Sequence, residues 1–148
     1  MFASTWWKTM SSVRAIVAGH GEFGTGILSA VLQITGREDV FLPLSNRGLS
    51  AQDVERALGE LVARTGASVI FTDLPAGSCT MAARRLQRSR PDLTVVTGTN
   101  LGVLLDFLFA DDVPASEAAR VAADKGRASV MVTPARPAGG AGGTVHGD

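Results

Sequence analysis

Short apolar runs alternate with longer segments of helical spacing along most of this chain. Five short runs, rich in apolar and β-branched residues, predict strands over residues 13–18, 39–44, 67–72, 93–97 and 128–133. The segments between them carry apolar residues at three- and four-residue intervals, which predicts helices with one buried face. Strands joined through helices pair in parallel, because each crossover returns the chain to the same end of the sheet. The pattern predicts an α/β fold with a doubly wound, mainly parallel sheet of four to five strands and helices on both faces.

Polar residues and glycines mark where several predicted helices begin and end. Ser50 and Asp53 have the spacing of a capping box, with Asp in the place of the usual Glu. Asn100 predicts an N-cap for a helix that extends to about residue 109. The next helix is predicted to begin at Pro114 and to end near Gly126.

The two ends of the chain lack this periodicity. Residues 1–11 fit no helix or strand pattern, and we interpret them as an unstructured extension or an expression remnant. Residues 134–148 are rich in proline, glycine and alanine, which predicts a flexible tail. The 148-residue chain is therefore expected to form one domain, over residues 12–133.

Composition argues against several classes of function. Lysine plus arginine and aspartate plus glutamate number 14 each, so the net charge is zero, whereas nucleic-acid-binding domains usually have a basic surplus. One cysteine, Cys79, and two histidines, His20 and His146, are too few for a disulfide framework or a Cys/His metal cluster. No apolar run reaches the ~18–20 residues of a membrane helix. We therefore expect a cytoplasmic protein that uses no cofactor, binds no nucleic acid and is not inserted in a membrane.

The turn from Gly19 to Gly24 carries the strongest chemical signal and allows two interpretations. It fits the G-x-G-x-x-G pattern of dinucleotide-binding turns, between a predicted strand and a predicted helix. However, residues 41–46 end the second strand without the acidic residue that this pattern requires, and a histidine occupies the tight turn. The second interpretation uses His20 itself, which follows the first strand, where open α/β sheets build their sites. We favour it, because the glycines on both sides of His20 leave the ring accessible.

Two further polar segments follow predicted strands at the same edge of the sheet. Asp73 ends the third strand, where its carboxylate can reach His20, fix one tautomer and leave the other nitrogen as a nucleophile. A capping or surface aspartate is the alternative. Ser78 lies near a helix start, where its hydroxyl can hold phosphate oxygens or act as an N-cap. Thr99 and Asn100 follow the fourth strand and can contact a phosphoryl group or a partner, although capping alone is sufficient reason for Asn100.

These segments, in this order and spacing, resemble the IIA component of the mannose-type phosphoenolpyruvate-dependent sugar phosphotransferase system. The matching pieces are residues 13–23, 72–78 and 96–105, and the resemblance covers about residues 13–133. The last piece is most similar to the branch that handles N-acetylgalactosamine and galactosamine. The resemblance implies a doubly wound α/β domain that forms a homodimer, in which the final strand, here residues 128–133, can be exchanged between subunits.

The resemblance also implies a mechanism and partners. It implies that His20 accepts a phosphoryl group from HPr and passes it to a IIB component, in association with the IIC/IID permease, during sugar uptake. Such a protein is a phosphotransferase that works through a phosphohistidine. Asp73 takes the place of the aspartate that orients the ring, and Ser78 that of the residue that contacts the phosphoryl group. The residues expected around the phosphoryl group or at the partner's docking surface are Gly19, Gly21, Phe23, Leu74, Gly77, Thr99 and Asn100.

The loop after Asp73 departs from the family's pattern. Ala76 replaces a glycine, and a left-handed conformation there would cost about 1 kcal/mol or more; Cys79 replaces a proline. A regulatory IIA-like protein without a cognate permease is therefore an alternative function, and a nucleotide-binding Rossmann-like module is another. A nucleophilic Cys79 at a helix N-terminus is a further alternative, although no second histidine of the domain is available as its base. The helix after this loop carries arginines that either meet an acidic partner or form a solvated face: Arg84, Arg85, Arg88 and Arg90.

Overall fold

Four parallel strands form one sheet at the centre of the protein. The computed structural model describes residues 12–137. The strands are β1 (Ala15–Gly19), β2 (Phe41–Ser45), β3 (Val69–Thr72) and β4 (Thr94–Val96), in the order β2-β1-β3-β4. The helices are α1 (Phe23–Thr35), α2 (Ala51–Thr65), α3 (Ser78–Ser89), α4 (Leu101–Phe109) and α5 (Ala115–Ala128). Among these helices of the described chain, none is long and apolar enough to cross a lipid bilayer.

Helices cover both faces of the sheet, and the side chains of β1 alternate between the two layers. Ala15 and Val17 pack in a cluster with α1, α4 and α5, whereas Ile16 and Ala18 pack in a cluster with α2 and α3. All five residues of β1 are buried, as a strand covered on both faces requires. These observations confirm the predicted doubly wound α/β class.

Three phenylalanines form the centre of the first cluster. The Phe107 ring of α4 lies 5.1 Å from the Phe71 ring in an edge-to-face arrangement and 5.8 Å from the Phe41 ring, between ring centroids. On another side, the Arg14 guanidinium lies 5.0 Å from the Phe107 ring centroid. This packing holds α4 against β2 and β3.

The parallel arrangement gathers the loops that follow the strands at one edge of the sheet. In the register of the sheet, Gly19 of β1 pairs with Ser45 of β2, and Ala18 pairs with Thr72 of β3. The residue that follows β1 therefore lies between the loops that follow β2 and β3.

The prediction of a fifth strand over residues 128–133 is wrong for the structure of a single chain. Helix α5 continues to Ala128, and residues 129–137 have no regular structure. Val130, Met131 and Val132 are 74%, 81% and 88% exposed. A strand is stable only when its backbone groups pair with a neighbour, and within the described residues this segment has no strand beside it.

Most predicted helix ends agree with the structure, and one does not. Ser50 and Asp53 form the predicted capping box, and the Asn100 side chain accepts a hydrogen bond from the Val103 N–H at 2.9 Å. Helix α5 does not end at Gly126 but continues to Ala128; the glycine instead allows close packing, because a Cβ atom there would collide with Val103. The predicted extension over residues 1–11 lies outside the described residues, as does residue 138 onward of the predicted tail.

Candidate functional site

His20 is the first residue after β1 and projects from the edge of the sheet. Its side chain is 51% exposed. Its carbonyl accepts a hydrogen bond from the Phe23 N–H at 2.9 Å, which closes the turn into α1. Gly21 completes this turn with φ of +53°, a conformation that favours glycine. The turn therefore fixes the His20 backbone while the ring stays accessible.

Asp73, the residue after β3, binds His20 twice through one oxygen. Its Oδ2 accepts the His20 backbone N–H at 2.9 Å and lies 2.8 Å from His20 Nδ1. An ionised carboxylate only accepts hydrogen bonds, so Nδ1 carries a proton, and in the neutral form of the ring the free lone pair is on Nε2. The other oxygen, Oδ1, is buried without a partner in the described structure. Asp73 therefore contacts the ring and does not cap a helix.

The Asp73 carboxyl is ionised at neutral pH. Burial alone would raise its pKa, but hydrogen bonds from the His20 backbone and ring outweigh this, so the pKa of Asp73 lies below its ordinary value. A negative charge is thus held beside Nδ1, where it stabilises positive charge that develops on the ring.

The loop from Leu74 to Gly77 passes directly over one side of the ring. A Cβ atom on Gly77 would lie 3.0 Å from His20 Cε1, the carbon between the two ring nitrogens. Helix α3 then begins at Ser78, and the N–H groups of its first turn have no acceptor within the helix. Such N–H groups, together with the helix dipole, favour an anion.

Hydroxyl groups behind the loop hold it in place. Thr72 Oγ1 and Thr80 Oγ1 are 2.6 Å apart, and the Thr80 hydroxyl donates to the Leu74 carbonyl. Both threonines are buried. The conformational cost expected at Ala76 is absent, since every residue with positive φ in the described chain is a glycine.

The structure excludes the alternative in which Cys79 is a nucleophile. The residue is fully buried, and burial, with a smaller contribution from the Asp73 charge, raises the pKa of its thiol to about 11. The thiolate is the nucleophilic form of cysteine, so Cys79 is almost entirely unreactive at neutral pH. It is instead a packing residue in the cluster beneath α3.

Ser78 does not act as an N-cap. The N-cap position is Gly77, which makes no side-chain capping bond, and the Ser78 hydroxyl instead accepts a hydrogen bond from Asn46 Nδ2 at 3.0 Å. Asn46 follows β2, and its own N–H donates to the Gly19 carbonyl at 3.1 Å. The sequence pattern does not predict a role for Asn46 in the site, because the dinucleotide motif assigns a role only to an acidic residue at the end of β2.

Thr99 and Asn100 serve the fold, and the structure gives them no contact with His20. The Asn100 side chain caps α4 and donates to the Gly126 carbonyl at 3.0 Å, so its amide is used between α4 and α5. Thr99 is buried, and its N–H donates to the Thr72 carbonyl at 3.1 Å. The contact of these two residues with a phosphoryl group therefore has no support among the described contacts.

The expected docking rim divides into a partly buried and an exposed part. Phe23 packs against the first cluster and the turn, where a Cβ on Gly19 would lie 2.7 Å from its ring. Leu74 is 54% exposed. The arginines lie further along the chain: Arg84, Arg85 and Arg88 are exposed on α3, and Arg90, which follows the helix, pairs with Asp92.

Fold and site together define a doubly wound α/β protein with a carboxylate-oriented histidine at the carboxyl edge of its sheet. Residues 14–123 match the EIIA-man family, described as the PTS system fructose IIA component. This chain belongs to that family of sugar phosphotransferase system IIA components, which are phosphoryl carriers. No curated protein sequence matches the chain.

Solved structures of the same system have the same fold. A Klebsiella pneumoniae protein, described as a permease of the phosphoenolpyruvate-dependent sugar phosphotransferase system, is 26% identical, with a TM-score of 0.70; 82% of this chain and 91% of that chain are covered. The mannose/sorbose-specific IIA subunit of Enterococcus faecalis is 18% identical, with a TM-score of 0.70; 84% of this chain and 96% of that chain are covered. Component EIIA of Streptococcus agalactiae is 22% identical, with a TM-score of 0.65; 77% of this chain and 94% of that chain are covered.

Proposed function

We propose that this protein is a cytoplasmic phosphohistidine carrier, which receives a phosphoryl group from phospho-HPr on His20 Nε2 and passes it to a IIB component. The observation that carries the proposal is the contact of 2.8 Å between His20 Nδ1 and Asp73 Oδ2, on a ring that is half exposed. In the neutral ring, this contact places the free lone pair on Nε2, away from Asp73. Membership of the IIA family supports the same chemistry.

The transfer itself requires positioning and charge stabilisation. The Nε2 lone pair of His20 forms a bond to phosphorus as the donor's nitrogen–phosphorus bond breaks, and that electron pair returns to the donor imidazole. Nδ1 keeps its proton throughout, so the His20 ring becomes positive. The Asp73 carboxylate balances this charge, and the N–H groups at the start of α3, with the Ser78 hydroxyl, meet the phosphoryl oxygens.

The experiment is phosphoryl transfer from phosphoenolpyruvate through enzyme I and HPr, followed by intact mass. We expect a gain of about 80 Da, the mass of one phosphoryl group, that is lost in acid. His20→Gln should abolish this gain, and the matched control His146→Gln should retain it. Wild type that gains no mass, or His20→Gln that still gains it, would contradict the proposal.

A homodimer with exchanged C-terminal segments is part of the proposal. Val130, Met131 and Val132 are exposed, and β4 has a free edge within the described sheet, where a partner's strand could pair. We expect sedimentation at twice the chain mass of 15.3 kDa, and a monomer for the full-length Val130→Asp/Val132→Asp variant. A monomeric wild type, or a variant that still dimerises, would contradict exchange.

The alternatives receive less support. Nucleotide binding lacks its acidic residue, since β2 is followed by Asn46 and Arg47. A regulatory carrier would use the same His20 chemistry but would have no cognate permease. We propose transport, with an amino sugar or hexose as the transported sugar and indirect association with a IIC/IID permease.

A further inference from the structure

Asn46 joins the loop after β2 to both parts of the phosphoryl site. Its backbone N–H donates to the carbonyl of Gly19, the residue before His20, at 3.1 Å. Its side-chain Nδ2 donates to Ser78 Oγ at 3.0 Å, 32 residues further along the chain. Both Asn46 and Ser78 are partly buried. Asn46 is thus held by its backbone at one side of the site while its amide reaches the other.

The direction of the hydrogen bond fixes what the Ser78 hydroxyl can do. A serine hydroxyl has one proton to donate and two lone pairs that accept. Because the amide nitrogen of Asn46 has only protons to offer, Ser78 Oγ is the acceptor. Its own proton is left over, and the described structure gives it no acceptor.

The residue before Ser78 lies against the ring that carries the phosphoryl group in the proposed function. Gly77, which precedes Ser78, packs so closely against the ring that a Cβ atom added to it would lie 3.0 Å from His20 Cε1. Phosphoryl oxygens are acceptors and carry negative charge, so they are stabilised by a donated proton and repelled by an oxygen lone pair. A Ser78 hydroxyl that was free to rotate would present either its proton or a lone pair to the phosphoryl oxygens.

We propose that Asn46 is a positioning residue, which binds the oxygen of Ser78 so that the hydroxyl proton is directed to the phosphoryl group on His20. The inference rests on the proposed function and adds a residue to it. Asn46 touches neither the ring nor the phosphoryl group in this arrangement; it acts through Ser78.

The decisive substitution is Asn46→Asp. The aspartate has the same size and keeps the backbone N–H bond to Gly19, but its carboxylate only accepts, so it draws the Ser78 proton away from the phosphoryl group. We expect the rate of His20 phosphorylation by phospho-HPr to fall about 10–100-fold, by analogy with the loss caused by removing a second-shell residue that orients a metal ligand. Asn46→Ala removes the amide without capturing the proton, so a loss of only a few-fold is expected.

A double-mutant cycle separates orientation of Ser78 from other effects. In a Ser78→Ala background there is no hydroxyl to misdirect, so Asn46→Asp should slow transfer much less than it does in wild type. If its new charge simply repels the phosphoryl group, or if the loop is distorted, the loss will be equally large in both backgrounds, and the inference is overturned. Chemical unfolding of each variant measures any change in stability.

Failure of this inference about Asn46 can be distinguished from failure of the proposed function. If wild type takes up no phosphoryl group, the proposed function fails. If wild type is phosphorylated on His20 but Asn46→Asp or Ser78→Ala reacts as fast as wild type, the carrier function stands and the role of Asn46 is disproved.

Discussion

Replacing Asp73 with asparagine is expected to slow phosphorylation of His20 by about 10²–10⁴-fold, comparable to the loss when a carboxylate that orients a catalytic imidazole is made an amide. Asp73 Oδ2 accepts from both the backbone N–H and Nδ1 of His20. An asparagine oxygen in that place keeps at most these contacts and loses the negative charge that balances the phosphorylated ring. If the amide turns the other way, its N–H favours the tautomer with the proton on Nε2, which blocks attack.

The measurement is the rate of phosphoryl transfer from phospho-HPr, with Asp92→Asn as the control. Asp92 pairs with Arg90 just before β4, at the opposite edge of the sheet from His20, so its substitution removes one charge without touching the site. Equal rates for Asp73→Asn and wild type would show that the carboxylate is not needed. A loss as large in Asp92→Asn would indicate an effect of net charge.

The same substitution is expected to change the acid limb of the stability profile. The pKa of Asp73 in the folded protein lies below its ordinary value of 3.8. The carboxylate therefore stabilises the fold fully above that ordinary value, and this contribution is lost as the pH falls through the folded-state pKa. Asp73→Asn lacks this contribution, so its free energy of unfolding should depend less on pH in this range.

Phe107→Ala is expected to destabilise the protein by about 3–5 kcal/mol, the cost of truncating a buried phenylalanine. The side chain is fully buried between Phe41 and Phe71, and Arg14 lies against its ring. Truncation leaves a cavity and removes two aromatic contacts at once. Since small domains have free energies of unfolding of about 5–15 kcal/mol, this variant would lose a large part of its total stability.

The free energy of unfolding in urea measures this effect, and Phe109→Ala is the matched control on the same helix. Phe109 is 66% exposed, so its truncation should change stability by about 0.5 kcal/mol or less. If the two variants were equally stable, the aromatic cluster would not be the core that holds α4 to the sheet.

The pair of His20 and Asp73 could be predicted because both residues follow strands. Once β1 and β3 are recognised as strands of a parallel sheet, their carboxyl ends face the same edge, and a histidine and an aspartate there are candidates to meet. The side-chain contact with Asn46 could not be predicted in this way. It joins residues 46 and 78 across two loops, and its chemistry depends on which atom donates, which only the packed structure defines.

Two predictions that the structure overturns have the same physical origin. The apolar run over residues 128–133 has the composition of a strand, but composition does not supply the neighbouring strand with which its backbone must pair. Gly126 has the sequence signature of a helix end, whereas its role is to let Val103 approach α5. In both cases the residues do have the local pattern of the predicted structure. The structure they adopt depends on whether a distant part of the chain contacts them.

The sequence by itself therefore determined the α/β class, the order of most elements, the capping box at Ser50 and the histidine–aspartate pair, because each follows from periodicity or local chemistry. Tertiary structure decided the contacts between loops: Gly77 against the His20 ring, the burial of Cys79, and the hydrogen bond from Asn46 to the Ser78 hydroxyl. These depend on distances between segments far apart in the chain, which no local pattern encodes.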